Sequence, residues 1–309
     1  MDRKFTHLDA AESAFFERQL EKIKETTYDI KYPNLMGKVL IPVDTEAGPG
    51  ATTVTYRQWD RRGRAKIVAQ NAKDIPRVDV LGQEFPKPVR EVAAAYGWTW
   101  KEVQSAAMSG TDLSGRRAMA CREAIETELD EIAAVGSPDN GIADGFLNNS
   151  AVNVETASTT WADHITAGDP QLIIKDFSDA FARIDTATNG VEKPNLVVLP
   201  DAAFTLIATN PIGADFNRTI LDFVKTQFGA VYPGFDVLPW YRCTTAGAGA
   251  TTRMVTYKRD PSMVYQEITM EFLALPVQEH GLEYTVNCLA STAGTTVPYP
   301  LAMDYYDAI

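Results

Sequence analysis

The sequence predicts an α+β fold. Three stretches carry that prediction: a long amphipathic helix in the first half, a basic strand pair ahead of it, and alternating strands and helices behind it. The helix is expected over residues 112–135. Ala118, Cys121, Ile125, Leu129 and Ile132 recur at three- and four-residue steps, which lines them along one face of a helix. Arg116, Arg117, Glu123, Glu126, Asp130 and Glu131 fill the other faces. Thr111 or Asp112 caps the start, and Gly136 followed by Ser-Pro-Asp ends it. At 1.5 Å per residue such a helix is roughly 35 Å long, so its single apolar stripe needs a neighbour along its whole length.

The bulk numbers narrow the class. With 309 residues, 45% hydrophobic and 23% charged, the chain can bury a sizeable core, as two packed lobes or one domain with insertions. A formal net charge of −12 argues against a general nucleic-acid binder. Cys121, Cys243 and Cys288 are an odd count, widely spaced and without a CxxC, which points away from a disulfide framework or zinc site and towards a reducing cytosol. No apolar run reaches membrane-spanning length, and the first twelve residues lack the apolar segment of a secretory signal. A soluble protein made in a cytoplasm is expected.

Taken in order, residues 1–8 read as a loose arm. Asp9 and Glu12 resemble a capping pair for a helix carrying Phe16, Leu20 and Ile23 and ending near Glu25. Residues 28–44 read as extended, because Pro33, Pro42, Val39, Ile41 and Val43 disfavour helix, and a Gly/Pro break follows over residues 46–50. In residues 51–60, Val54, Tyr56 and Gln58 alternate with Thr53, Thr55, Arg57 and Trp59, the period of a strand. Residues 60–63 supply a turn and 64–68 a return strand. Arg57, Arg61, Arg62, Arg64 and Lys66 crowd this hairpin in an acidic protein. A solvated hairpin explains the charge, as does phosphate binding. A projecting arm whose cations meet acid on another copy explains it better, since a lone two-stranded ribbon is marginal in water.

Beyond it, residues 81–100 read as extended, with a strand at 89–92 and a helix from Thr99. A strand is expected at 151–156. Helices are expected around Phe177 and Phe181, from Pro200 onward, and from Ile220 to Gly229; a buried strand is expected at 195–199. TTAGAGATT at 244–252 is the best loop tip, and further strands fall at 254–258, 272–277, 282–289 and 301–306.

Chemistry-bearing motifs are scarce. Gly110-Thr-Asp-Leu-Ser-Gly115 precedes a helix as a phosphate loop does, yet arginines stand where that motif needs Lys and Ser/Thr. His7, His164 and His280 show no metal spacing, and Glu279-His280-Gly281 reads as a turn. Asp139, Asn140 and Asp144 lack the spacing of a calcium loop, and no GxSxG occurs. The cysteines read as buried and inert. No enzyme activity, cofactor or metal is expected.

The order of these elements resembles the tailed-bacteriophage major capsid protein family, whose fold is shared with encapsulins. The pieces that carry the resemblance are YRQWDRRGRAKIV, AYGWTWKEVQSA, the spine helix running into GIADGFLNN, and the closing VPYPLAMDYYDAI. The resemblance implies an N-terminal arm over residues 1–50 and an E-loop over 51–81. It implies a P-domain over 82–159 with the spine helix at 112–135, an A-domain over 160–275, and return strands over 276–309. It also implies self-assembly as pentamers and hexamers into an icosahedral shell. The shell encloses double-stranded DNA without sequence specificity, is made in a bacterial host cytoplasm and ends as the virion capsid. Scaffold, portal and decoration proteins are partners in the family; a membrane is not. Arg57, Arg61, Arg62, Arg64 and Lys66 are then inter-subunit contacts. Some members link an E-loop lysine to a neighbour's asparagine; by that analogy Lys66 pairs with Asn148 or Asn149, though non-covalent contact is expected here. Two alternatives remain on the sequence: an encapsulin-like cellular compartment with protein cargo, and a soluble α/β enzyme.

Overall fold

The computed structural model describes residues 33–67, 75–109, 113–213 and 218–309. The helix expected near Phe16 and the caps Thr111 and Asp112 lie outside them, as do residues 110–112 of the phosphate-loop mimic. By its internal contacts the chain divides at Leu35, and Leu35–Ile309 is one body.

In chain order that body contains α1 (Gly37–Leu40), β1 (Val43–Asp44), β2 (Thr53–Arg62), β3 (Asp79–Pro88), β4 (Arg90–Thr99), α2 (Trp100–Ser109) and α3 (Leu113–Val135). There follow β5 (Asn153–Thr156), α4 (Trp161–Ala167), α5 (Gln171–Thr188), β6 (Leu196–Leu199), α6 (Asp201–Thr209), α7 (Ile220–Val231) and β7 (Asp236–Pro239). The chain closes with β8 (Arg253–Tyr257), β9 (Tyr265–Ala274), β10 (Gln278–His280), β11 (Glu283–Thr296) and β12 (Met303–Asp307). The expected α+β class is the one observed. One five-stranded sheet runs β1-β9-β11, with β4 and β10 also paired to β11; a second runs β5-β12-β8-β6-β7; β2 and β3 form a separate ribbon.

The spine helix α3 lies on the first sheet. Cys121, Ile125 and Leu129 are buried against Val286, Cys288 and Ala290 of β11 and against Val92, Ala94, Tyr96 and Trp98 of β4. The stripe read from the sequence is thus the contact face, with one correction. Asp130, assigned to a solvent face, is buried; it accepts from the Gly37 amide at 2.7 Å and from Arg242 Nε at 2.6 Å. That pull on Gly37 explains a second correction: residues 37–40 form a helical turn instead of extended chain. Leu40 and Ile41 are fully buried, so this part of the expected arm over residues 1–50 belongs to the core.

The C-terminal end of α3 is built from GIADGFLNN. A helix leaves its last four carbonyls without partners. Here Gly136 N–H donates to Ile132 O at 2.9 Å, Phe146 N–H to Ala133 O at 2.9 Å, Leu147 N–H to Ala134 O at 2.7 Å and Asn148 Nδ2 to Val135 O at 2.8 Å. The returning chain passes so close that a Cβ on Gly145 would sit 2.5 Å from the Ala134 carbonyl and the Val135 nitrogen. Backbone cannot give way there, so Gly145→Ala should cost about 3 kcal/mol, read as a lowered urea midpoint with unchanged slope.

The second sheet separates two cores. Leu196 and Val198 of β6 face Trp240, Phe146 and Tyr257; Val197 and Leu199 face the helices α4 to α7 through Trp161, Phe177 and Val224. A buried ion pair ties the sheet to the end of α3. Arg253 donates to Asp307, its register partner on β12, at 2.6 and 2.7 Å. The same guanidinium donates to Leu147 O and lies 4.4 Å from the Tyr305 ring centroid. Tyr305 OH donates to Phe146 O at 2.5 Å. TTAGAGATT, expected to be the freest tip, is pinned as well: Ala248 N–H donates to Asp307 at 2.9 Å and Ala308 N–H to Thr252 O at 2.8 Å.

Strand pairing also redistributes the expected lobes. β9, read as beginning at residue 272 inside the inserted lobe, starts at Tyr265 and belongs to the first sheet. Its first half hides Gln266, Glu267 and Thr269, polar residues that mask a strand in sequence. β12 and β5 belong to the second sheet, parallel to each other. The helix α4, held by a Thr160–Asp163 capping pair, was not foreseen.

Candidate functional site

The ribbon β2–β3 is the candidate site. Its register pairs Thr53 with Pro88 and Arg62 with Asp79, ten residues on each strand, or roughly 33 Å of ribbon. This corrects the expected hairpin: there is no turn at residues 60–63, β2 runs straight through Arg62, and its partner is Asp79–Pro88 instead of residues 64–68. Pro86 and Pro88 are tolerated because a two-stranded ribbon leaves alternate backbone amides pointing outward, where a missing N–H costs nothing.

The base of the ribbon is fixed to the body. Val54, Tyr56 and Gln58 are half-buried, as the alternation predicts. Tyr56 stacks on Phe85 at 4.9 Å, Gln58 donates to Pro298 O, and Lys87 Nζ donates to Thr295 O at 2.5 Å. Burial pulls the Lys87 amine below its usual value, with Asp144 opposing the shift.

The outer half is different. Trp59–Arg62 and Asp79–Glu84 are exposed on both faces. Trp59 lies across Gly82, where a Cβ would come within 2.7 Å of the indole, and is still 68% exposed. Val80 and Leu81 beside it are about half exposed, a concentration of apolar surface that sequence reading overlooked in favour of the arginines.

The five cations separate into groups. Arg57 is paired across the ribbon with Glu84 at 2.8 Å, and Arg62 with Asp60 at 2.7 Å. Arg61 and Arg64 are exposed and have no ion-pair partner among the described residues. Lys66 is exposed too. Asn148, the analogue of a crosslinking asparagine, is engaged in its own chain: besides capping α3, its Oδ1 accepts from Gly145 N–H at 2.6 Å.

Acidic surface lies on α3. From Glu123 to Val135 the helix carries five carboxylates and no cation. Glu126 meets Lys38 at 2.5 Å and Glu131 meets Arg242 at 3.7 Å, while Glu123 and Glu128 are exposed. A groove of about 370 Å3 between α3 and β4 is floored by Val92, Ala94 and Ile125 and edged by Glu91 and Glu128.

At the root of the ribbon, buried Glu267 is the register partner of Asp44 on β1. Burial, then repulsion from Asp44 and Glu46, pushes its carboxyl up to about 7. The folded state therefore holds a proton that the unfolded chain releases near pH 4.5. Its contribution is fully present below that pH and is lost as pH rises through about 7. Glu267→Gln should raise stability at pH 8 by on the order of 2 kcal/mol and change little at pH 4, read from thermal midpoints.

The cavity between α5 and β12, about 670 Å3, has no histidine, cysteine or lysine in its lining, and its Arg183 and Asp304 are locked together at 2.7 Å. Among the described residues no group of three or more His, Cys, Asp or Glu is arranged to hold a metal ion, and no helix is long and apolar enough to cross a membrane.

A spine helix laid on one sheet, a second sheet wrapped in helices, and a ribbon held out from the body define a capsid subunit. A family model described as major capsid protein matches residues 63–309, and the chain belongs to that family. Among solved structures it is similar to the capsid of Myoviridae phage XM1, at 19% identity and TM-score 0.84, over 96% of this chain and 99% of that one. It is also similar to a Mycobacterium phage Ogopogo structure, at 12% identity and TM-score 0.61, over 94% and 97%. A virus-like particle from Pyrococcus furiosus follows at 13% identity and TM-score 0.54, over 87% and 90%. At these identities the likeness is one of fold. No curated protein matches the chain. The fold is the phage major capsid fold that the sequence resembles.

Proposed function

We propose that this chain tiles a closed icosahedral shell, as pentamers and hexamers of itself, around packaged double-stranded DNA. The observation that carries the reading is the outer half of β2–β3, exposed on both faces and bearing Trp59, Arg61, Val80 and Leu81, with exposed Arg64 just beyond the end of β2. Such a ribbon needs a surface to lie on. A second copy provides one of the right chemistry: the groove beside α3, apolar at its floor and edged by Glu91, Glu128 and Arg90, with exposed Glu123 further along the same helix. The ribbon is then the E-loop, α3 with the first sheet the P-domain, and the second sheet with α4 to α7 the A-domain. Arg61, Arg64 and Lys66 face the neighbour, while Arg57 and Arg62 stiffen the ribbon through Glu84 and Asp60. Each contact is weak, and closed symmetry multiplies it. A net charge of −12 suits an inner wall along which DNA slides without sticking. In this reading the chain is a structural protein of the virion, made in a bacterial cytoplasm and working with scaffold, portal and decoration proteins.

Negative-stain imaging of the purified protein, with nuclease digestion and analysis of the contents, tests this. The purified protein is expected to form closed polyhedral particles, and particles isolated from infected cells to hold nuclease-protected DNA. A uniform monomer contradicts the shell, and particles filled with a protein cargo point instead to a cellular compartment.

A further inference from the structure

Past its last paired residues the ribbon runs on into a tip. Residues 63–67 and 75–78, the part of that tip among the described residues, are exposed throughout. They carry Arg64, Lys66 and Arg77, no carboxylate, and the large apolar side chains of Ile67, Ile75 and Val78. Ile67 is fully exposed, and Ile75 and Val78 are each 68% exposed. Apolar surface gathered in this way marks a contact. The tip has no seat on its own body, since a seated Ile67 would be shielded from solvent.

The cavity between α5 and β12 offers the complementary chemistry. It holds about 670 Å3 and is walled in part by Ala182, Ala187, Leu301 and Met303. Leu301 is 60% exposed, and Ala182 and Ala187 are small and exposed, so the wall is open to an incoming side chain. Arg183 and Asp304 cancel each other's charge at 2.7 Å. Glu155 and Asp179 remain, both exposed, and Asp179 has only a loose contact with Lys175 at 3.9 Å. β5, which carries Glu155, is the outermost strand of the second sheet, and all four of its residues are exposed. An open edge beside an acidic, apolar-walled cavity suits an extended segment that is both cationic and apolar.

On one chain the tip and the cavity stand apart. Gln58, near the base of the ribbon, is held by Pro298, three residues before Leu301 of the cavity wall. Arg62 is four paired residues further out, roughly 13 Å along the strand, and the tip lies beyond it. Contact between the two patches therefore joins copies head to tail, the arrangement that closes into rings.

We propose that the tip of each ribbon seats in the cavity between α5 and β12 of a neighbouring copy, with Ile67 against Ala182 and Leu301 and with Lys66 and Arg77 beside Glu155 and Asp179. The inference rests on the assembly reading and adds a second seat to it: the outer half of the ribbon lies on α3, and the tip reaches past it.

Paired cysteines test the seat. Ile67→Cys with Ala182→Cys, in particles exposed to oxidised glutathione, should link chains into a ladder of dimers and larger species on a non-reducing gel. Either substitution alone should give no ladder, because the native Cys121, Cys243 and Cys288 are buried. Ala182→Trp, which fills the cavity from an exposed helix position, should cut particle yield roughly tenfold or more while the unassembled chain melts as before. Glu155→Lys with Asp179→Lys should do the same, and adding Lys66→Glu and Arg77→Glu should restore particles. Particles that give no ladder, a ladder from Ile67→Cys alone, or wild-type yield from Ala182→Trp would overturn the seat and leave the assembly reading standing. An unaltered chain that forms no particles would overturn both.

Discussion

Asp307→Ala should lower the stability of the unassembled chain by about 3–5 kcal/mol, because it strands the Arg253 guanidinium in the core. Both side chains are almost fully buried, and Asp307 accepts three hydrogen bonds, two from Arg253 and one from the Ala248 amide. Removing it unties the loop at 244–252, strand β12 and the segment that caps α3 in one stroke. Set against a typical stability of roughly 5–15 kcal/mol, that is a large fraction, and the thermal midpoint should fall by roughly 10 °C. Replacing both partners by apolar residues of similar size, as in Arg253→Met with Asp307→Leu, should cost less than the single change, since no charge is then left unpaired. A double variant less stable than the single one would show that the pair contributes net attraction of its own.

Arg61→Glu combined with Arg64→Glu should reduce particle yield at least tenfold and leave the subunit folded. Both side chains are exposed, and neither has an ion-pair partner among the described residues, so the subunit's stability should change by no more than surface substitutions usually cause, about 0.5 kcal/mol. Each contact is worth only about 0.2–1 kcal/mol. Every subunit loses two of them and gains repulsion against Glu123 and Glu128, and each 1.4 kcal/mol is roughly a factor of ten in association. Arg57→Ala and Arg62→Ala should reduce yield less, because Glu84 and Asp60 already neutralise those charges within the chain. Adding Glu123→Arg and Glu128→Arg to the first variant should recover particles. Wild-type yield from the charge-reversed ribbon, or failure of the swap to rescue, would count against α3 as its seat.

What the sequence revealed was local. α3 was legible because its partners in sequence are three and four residues apart and because Gly136, at φ +76°, stops it in a conformation that favours glycine. α5 and α6 were legible from the same helical spacing, and β6 as a short continuous apolar run. What failed was pairing between distant residues. The return strand of the ribbon was misplaced because residues 64–68 look more strand-like than a segment containing Gly82, Pro86 and Pro88, and nothing local announces that Arg62 pairs with Asp79. Asp130 read as a surface acid because its partners, Gly37 and Arg242, lie 93 and 112 residues away. The cluster of cations was visible from composition alone. Which of them are paired, and that Trp59, Val80 and Leu81 stand exposed beside them, required the register.

The most direct test of the central claim, that the exposed ribbon rests on another copy of the chain, is photo-crosslinking in shells assembled from equal amounts of isotopically heavy and light protein. A photoreactive residue placed at Val80, half exposed near the outer end of the ribbon, should yield linked peptides from α3, half of them joining a heavy partner to a light one. Links that join only heavy to heavy and light to light would mean that the ribbon folds back on its own subunit.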